Sequence, residues 1–396
     1  MKKSKYLTLL APISLVLTGC DLDLFGTNQV AKNVLITEIS GDTNKYVEIY
    51  NKGDKDIDLK DFRLDVHYKA TKVTQFALEG TLKAGETFIY ANSLCLDEVS
   101  TKADQKSDTF ILNGKQAVDL VYKNNVIDRV GRVESLQNDY YAGCVLVRKT
   151  EDQFFKPSNE WDEYSWVRYL SDDYSHLKNL DVISEEDLLK GPQLEQSDFD
   201  KPLCRDGDTL VGAGGVTEVT VNKYTDGDTT RFNFLDSAFI SKCAITSDYP
   251  VRYTNINTPE STSLFEAGGV PAKYFTNIAL NEARKSGTKI YFQTVDGGVV
   301  KETFKRLLGW VWVGTDHLLQ FDIVMAGHSK VQFEDIDSMS YKGVTYTNFL
   351  KNAELHAQAE GIGVHGNNDI YWYYSTNTPR DEYNEHKDFP DDYQVN

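Results

Sequence analysis

Basic charge is what this chain lacks most. Its 396 residues carry 42 Lys and Arg against 60 Asp and Glu, a net charge of −18. A protein that coats nucleic acid along its length is basic, so that class is excluded. Cysteine is scarce too, with 5 in the whole chain. One of them, Cys20, ends an apolar N-terminal segment. The others are Cys95, Cys144, Cys204 and Cys243, too few for a disulfide-dense scaffold. They permit Cys95 to pair with Cys144 and Cys204 with Cys243, or all four to stay as buried thiols. The histidines show no HExxH or other metal spacing, which excludes that class of zinc hydrolase. The glycine-rich run Val211–Gly215 lacks the Lys-Ser/Thr ending of a phosphate loop. No apolar run reaches the roughly 20 residues of a membrane-crossing helix.

What is present suits two domains plus tails. The chain is too long for one ordinary core, and 40% hydrophobic with 12% aromatic residues is enough to fill two. At the N-terminus Lys2, Lys3 and Lys5 precede an apolar run from Tyr6 to Leu17, then Thr18-Gly19-Cys20. This is a targeting segment, set aside from fold reasoning. It resembles the lipobox of bacterial lipoproteins. The resemblance implies a signal peptide over residues 1–19, a lipidated Cys20, and a polar spacer over 20–31. The protein would then be lipid-anchored in the cell membrane and face outside.

From Asn33 the pattern turns to strands. Val34-Leu35-Ile36-Thr37-Glu38-Ile39 and Tyr46-Val47-Glu48-Ile49-Tyr50 mix β-branched and aromatic residues with polar ones. More short strands are expected near Phe62–Tyr68, Thr87–Ala91 and Thr109–Leu112, with a hairpin of Ala117–Tyr122 and Val126–Val130. Such spacing favours a β-sandwich over residues 32–180. Those two motifs, with Leu59, Phe62 and Asp119-Leu120-Val121, resemble the lamin-tail domain, an immunoglobulin-like sandwich. Arg148, Trp161 and His176 look like the closing segment of its bacterial versions. The resemblance implies a binding or positioning role and identifies no partner. Residues 181–215, acidic and then glycine-rich, read as a linker.

The second domain, 216–366, is expected to open with strands at Thr217–Tyr224 and Thr230–Leu235 around the turn Asp226-Gly227-Asp228-Thr229. A third strand is read over Tyr249–Ile256, with later ones at Lys289–Val295 and Leu307–Val313. Helices are read over Pro271–Ser286, Leu318–Gly327 and Tyr346–Gly361. This order suits a five-stranded OB-type barrel with packed helices, so the whole chain reads as mainly β. Its charge is nearly balanced, with 17 acidic and 14 basic residues, while the tail over 367–396 has 7 acidic and 2 basic. That tail begins with an aromatic run, Tyr371-Trp372-Tyr373-Tyr374.

Four motifs here resemble the micrococcal nuclease family: Asp226-Gly227-Asp228-Thr229, Val251-Arg252, Thr258-Pro259-Glu260 and Arg306-Leu307-Leu308-Gly309. Their order and spacing agree as well as their identities. The resemblance implies a Ca2+ site built from Asp228, Asn257 and the Thr258 carbonyl. Glu260 would serve as general base or water-orienting residue, and Arg252 and Arg306 would grip the scissile phosphate. Hard cations take such oxygens, and guanidinium forks match phosphate. Asn257 stands where the family has a second metal-ligating aspartate, which implies weaker calcium binding. Phe304 and Phe333 stand where substrate-binding tyrosines are common; they keep the stacking face and lose the hydroxyl. The implied activity is calcium-dependent hydrolysis of DNA and RNA by a monomer, leaving 3′-phosphates. The alternative is a non-catalytic nucleic-acid-binding or adhesion lipoprotein in which Asn257 has weakened the metal site.

Overall fold

In the computed structural model the described residues are 27–136, 138–205, 208–262, 265–302, 304–332 and 339–381. The expectations for the signal peptide, Cys20 and Phe333 lie outside them.

The first half is two packed sheets. Its strands are β1 (Val34–Gly41), β2 (Lys45–Asn51), β3 (Phe62–Lys69), β4 (Lys72–Ala77), β5 (Thr87–Asn92), β6 (Gln105–Ser107), β7 (Ala117–Tyr122), β8 (Asn125–Val130), β9 (Cys144–Arg148) and β10 (Trp166–Leu170). One sheet runs β10-β9-β1-β2-β5-β6 and the other β8-β7-β3-β4. Between them lie Ile36, Val47, Leu64, Phe110, Leu120 and Trp166, all buried. Each such side chain contributes about 1.5–3 kcal/mol by leaving water. Trp161 and Trp166 stack within this core, as packing residues.

An ion pair closes the sandwich where strand pairing stops. β1 shifts register between Ile36 and Glu38, and its pairing with β9 begins only at Glu38. The Ile36 amide and carbonyl therefore need other partners. Asp128 Oδ2 accepts from Ile36 N at 2.7 Å and Arg148 Nε donates to Ile36 O at 2.7 Å. Arg148 Nη2 meets Asp128 Oδ2 at 2.7 Å, both side chains being fully buried.

The second half contains a closed ring of five strands: β11 (Val216–Tyr224), β12 (Thr229–Phe234), β13 (Asp248–Tyr253), β14 (Ile290–Gln293) and β15 (Leu307–Val313). Antiparallel pairing runs β13-β12-β11-β14-β15, and parallel pairing of β13 with β15 shuts the ring. That closure sets Tyr253 opposite Gly309. A Cβ on Gly309 would lie 2.5 Å from the Gln293 carbonyl oxygen, so only glycine lets three strands meet this closely. Helices α1 (Glu185–Lys190), α2 (Gly269–Ser286), α3 (Leu319–Met325) and α4 (Tyr346–Glu360) surround it. The sequence starts α2 at Pro271; it begins two residues earlier, with Pro271 in its first turn.

The segment read as a linker is packed rather than free. Leu188 of α1, Leu194 and Cys204 are buried in the barrel's core. Gly212 sits in a short strand whose backbone lies against Val295. Sandwich and barrel also share that core: Val145, Val147, Val167 and Tyr169 join Phe349 and Leu350 of α4 in one apolar cluster. Across the join Asn348 Nδ2 donates to Arg168 O at 3.1 Å. Lys149, buried beside them, lies 3.8 Å from the Tyr164 ring centre and 3.8 Å from Glu185. Acidic composition suggested a solvated spacer, but its scattered leucines supply apolar contacts.

Of the two cysteine pairings, the structure brings one together. Cys204 and Cys243 Sγ atoms lie 3.5 Å apart. Cys95 instead contacts the Lys45 backbone, and Cys144 accepts a contact from Arg168 at 3.4 Å. These two belong to separate apolar clusters, so the 95–144 pairing is corrected to two buried thiols.

Candidate active site at the mouth of the barrel

The turn between β11 and β12 delivers the first two carboxylates. Asp226 Oδ1 accepts from the Asp228 amide at 3.3 Å and the Asp226 amide donates to Thr229 O, which is ordinary turn chemistry. Gly227 lets the turn press on the next motif, since a Cβ there would lie 2.8 Å from Thr258 Oγ1. Asp228 is buried, and its Oδ2 accepts from the Thr258 amide at 2.9 Å. The Asp226-Gly227-Asp228-Thr229 and Thr258-Pro259-Glu260 motifs are thus joined by backbone and carboxylate.

Arg252 ties in the second motif. Its position on β13, next to the closing strand β15, places the guanidinium over the turn. Nη1 lies 3.0 Å from Asp228 Oδ2, and Nη2 donates to Asn257 Oδ1 at 2.8 Å. The arginine therefore bridges two of the residues expected to hold calcium. Arg306 comes from the entry to β15. It pairs through Nε with Glu302, and its guanidinium lies 5.9 Å from the centre of the Phe304 ring. Phe304 is 79% exposed, so one aromatic face is open to a ligand.

Asp226, Asp228, Arg252, Asn257, Glu260 and Arg306 all line one cavity of about 540 Å³. Thr258 lines a neighbouring cavity of about 770 Å³, which also reaches Asn257. The site residues identified from sequence that fall among the described residues are therefore gathered in one place. Four more were not identified. Glu302 pairs with Arg306, and Val299, 55% exposed, lines the same cavity with the buried Tyr253 and Asn255. Asn255 has φ +62° and donates to Thr347 of α4. Asparagine adopts the left-handed region more readily than other non-glycine residues, so its presence between two motif segments is the one sequence signal available for a break there.

Electrostatics single out the turn. Burial and the neighbouring Asp228 push the Asp226 carboxyl up to about 7. Two carboxylates held together away from water raise each other's cost of ionisation. His328, in the adjoining cavity, is pushed down to about 4 by burial and is neutral at pH 7. Among the described residues no three of His, Cys, Asp and Glu cluster as a metal-binding group. The expected calcium set does not need one, because it draws on an amide and a backbone carbonyl.

The family comparison bears on the other half of the chain. Residues 27–134 match the model of the Lamin Tail Domain family. The lamin-tail match spans β1 to β8, and the immunoglobulin-like arrangement of that part fits it. No curated protein matches the chain.

Proposed function

We propose that the chain is a membrane-anchored extracellular nuclease that hydrolyses phosphodiester bonds of DNA and RNA with calcium, leaving 3′-phosphates. Its five-stranded ring is read as an OB-type barrel similar to that of the micrococcal nuclease family. The observation carrying this reading is the meeting of Asp226, Asp228, Arg252, Glu260 and Arg306 on one cavity. Carboxylates, a water-handling glutamate and two guanidinium groups are what this reaction needs, and few other chemistries need all of them.

The donor atoms suit a hard divalent cation. Asp228, the Asn257 amide oxygen and the Thr258 carbonyl would hold it, and the crowded Asp226–Asp228 pair would be relieved by positive charge. When bound, calcium supplies charge against the phosphate and orders water beside it. The remaining work falls to this chain's side chains. Glu260, exposed at the cavity edge, accepts the proton of the attacking water. The water oxygen bonds to phosphorus as the P–O5′ bond breaks; the departing 5′-oxygen takes a proton from solvent and Glu260 returns its own to solvent, leaving one fragment with a 3′-phosphate and the other with a 5′-hydroxyl. Arg252 and Arg306 neutralise the phosphoryl oxygens as charge builds there. Arg252's contacts with Asp228, Asn257 and the Tyr253 carbonyl use only part of its five-donor fork. Phe304 offers a stacking face for a base.

Lipid on Cys20 is the proposed anchor. Among the described residues no helix is long and apolar enough to cross a membrane. The sandwich would hold the barrel at the surface through the shared core, with its own partner unassigned, and the chain acts as a monomer. A second reading, a non-catalytic nucleic-acid-binding or adhesion lipoprotein, is favoured by one observation. Arg252 already holds the Asn257 amide, where a carboxylate would have competed better for calcium.

The test is digestion of plasmid, single-stranded DNA and RNA by the full chain with calcium, magnesium or chelator, beside Glu260→Ala and Arg306→Ala. The proposal expects calcium-dependent shortening that both variants lose. Nucleic acid bound but unshortened at every calcium concentration establishes the second reading instead.

A further inference from the structure

The segment that follows the barrel's last helix reaches back to the loop carrying Glu260. Asp369 is buried, and its Oδ2 accepts from the Gly268 amide at 2.7 Å. Its other oxygen accepts from Tyr371 N at 2.8 Å, and its own amide donates to Tyr374 Oη at 2.9 Å. The carboxylate is thus fixed on one side by the tail and spent on the loop on the other.

Gly268 leads directly to Glu260. The Glu260 amide donates to Glu266 Oε2 at 3.0 Å, and the Glu266 amide donates back to Glu260 O at 3.0 Å. Gly269 follows, so close to the Glu260 carbonyl that a Cβ would lie 2.2 Å from it. A small apolar core seals the join: Trp372 of the tail and Val270 are buried together, with Phe265, Ala267 and Tyr371 against them. A charge-assisted bond to a backbone amide at the start of the 18-residue α2 is favoured twice, by the bond and by the helix dipole.

We propose that Asp369 is a positioning residue for the reaction assigned above: it holds the Gly268 end of the Glu260 loop, so that Glu260 meets the scissile phosphate at a fixed distance. This rests on the nuclease reading. Glu260 and Glu266 are exposed, so their side chains draw little packing from the barrel. The tail supplies the missing constraint. A displacement of about 1 Å in a proton acceptor is enough to cost up to roughly a hundredfold in rate.

The experiment compares the full chain with Asp369→Ala, Asp369→Asn and Tyr374→Phe. Amide exchange of residues 259–270 and the kcat and KM for DNA cleavage are measured for each. The expected result for Asp369→Ala is faster exchange at Gly268 and kcat lower by about tenfold to a hundredfold, with KM within about twofold. Asp369→Asn keeps one acceptor oxygen for the two amides at Gly268 and Tyr371, so it recovers only part of both. Tyr374→Phe serves as the milder variant if Asp369→Ala does not fold, with the same changes in smaller measure. Unchanged kcat in Asp369→Ala, or a loss that the melting temperature and KM share equally, overturns the inference while leaving the nuclease reading intact. A wild-type chain that cleaves nothing overturns the nuclease reading itself, and the exchange data then report only that the tail pins the loop.

Discussion

Both halves of the molecule bury charge, and they do so in opposite ways. In the sandwich Asp128 is entirely buried and its contacts are to groups fixed by the fold: the backbone of Ile36, Ser158 and Arg129, and Arg148. In the barrel Asp228 and Arg252 are nearly as buried, at 7% and 8% exposure, yet they open onto a cavity. Asp128 answers to backbone that has no other partner, so its charge completes a strand edge. Backbone at Thr258 and Tyr253 holds Asp228 and Arg252 in place, but their contact with each other and that of Arg252 with Asn257 are ones that an incoming cation and phosphate could replace. A buried charge with exchangeable partners marks a site; one whose partners are all fixed by the fold marks a joint.

The largest break between the halves should come from function against stability. Glu260→Gln is expected to lower cleavage by about 10²–10⁴-fold, the scale of losing a proton acceptor. Its melting temperature should stay within about 1–2 °C of the parent, because Glu260 is exposed. Arg148→Met should do the reverse. Removing one partner of a buried pair costs about 3–5 kcal/mol. Replacing Asp128 as well should bring no recovery, because the Ile36 amide and carbonyl would still lack partners. Denaturation by urea, followed beside kcat on the folded fraction, checks both. A Glu260→Gln chain as unstable as Arg148→Met would erase the distinction.

Much of this contrast was legible in the chain itself, and the limits have physical causes. Strands with alternating or continuous apolar residues, such as Ala117–Tyr122 and Leu307–Val313, fall where their pattern puts them. The strand read as Tyr249–Ile256 instead ends at Tyr253, and a two-residue strand Ile256–Asn257 pairs elsewhere with Val331 and Lys330. The left-handed Asn255 breaks it, a local conformation that apolar periodicity does not record. The four motifs meet around one cavity because each is short and sits near a strand end. The Glu302 partner of Arg306 and the tail's grip on Gly268 were not legible, since they depend on which loops the closed ring brings together. The packed state of residues 181–215 was hidden for a related reason: acidic composition describes the solvent face, and a few leucines decide the other.

A smaller effect should sharpen the comparison by pH. Glu48 of the sandwich accepts from Thr37 Oγ1 at 2.8 Å and from Lys178 N at 2.7 Å. Burial still outweighs these bonds and pushes its carboxyl up to about 7; neighbouring Glu38, buried and facing Glu48, is raised as well. Below pH 4.5 folded and unfolded chains both hold the Glu48 proton, so the group contributes nothing. From 4.5 to about 7 the unfolded chain gives up a proton that the folded one keeps, and stability falls as pH rises. The difference in melting free energy between parent and Glu48→Gln should therefore shift by about 1–3 kcal/mol across that window in favour of the variant. Parallel curves for the two proteins from pH 4.5 to 7 would show that Glu48 ionises freely in the fold.

Asn257 is where the two kinds of buried charge come closest, and its replacement should have the smallest effect. Asn257→Asp adds a negative oxygen to the proposed calcium set, which by itself favours the cation. The same oxygen is the one that Arg252 Nη2 already holds at 2.8 Å, and a carboxylate there would bind the guanidinium more tightly. Calcium must then compete with a stronger internal ion pair, so part of the gain is cancelled. The expected outcome is a calcium concentration for half-maximal cleavage lower by about threefold to tenfold, with kcat at saturating calcium changed less than twofold. Calcium titrations of parent and variant at fixed ionic strength decide it. A higher calcium requirement in Asn257→Asp would mean that Arg252 outcompetes the cation, and that the native asparagine weakens the arginine's hold so that calcium can enter.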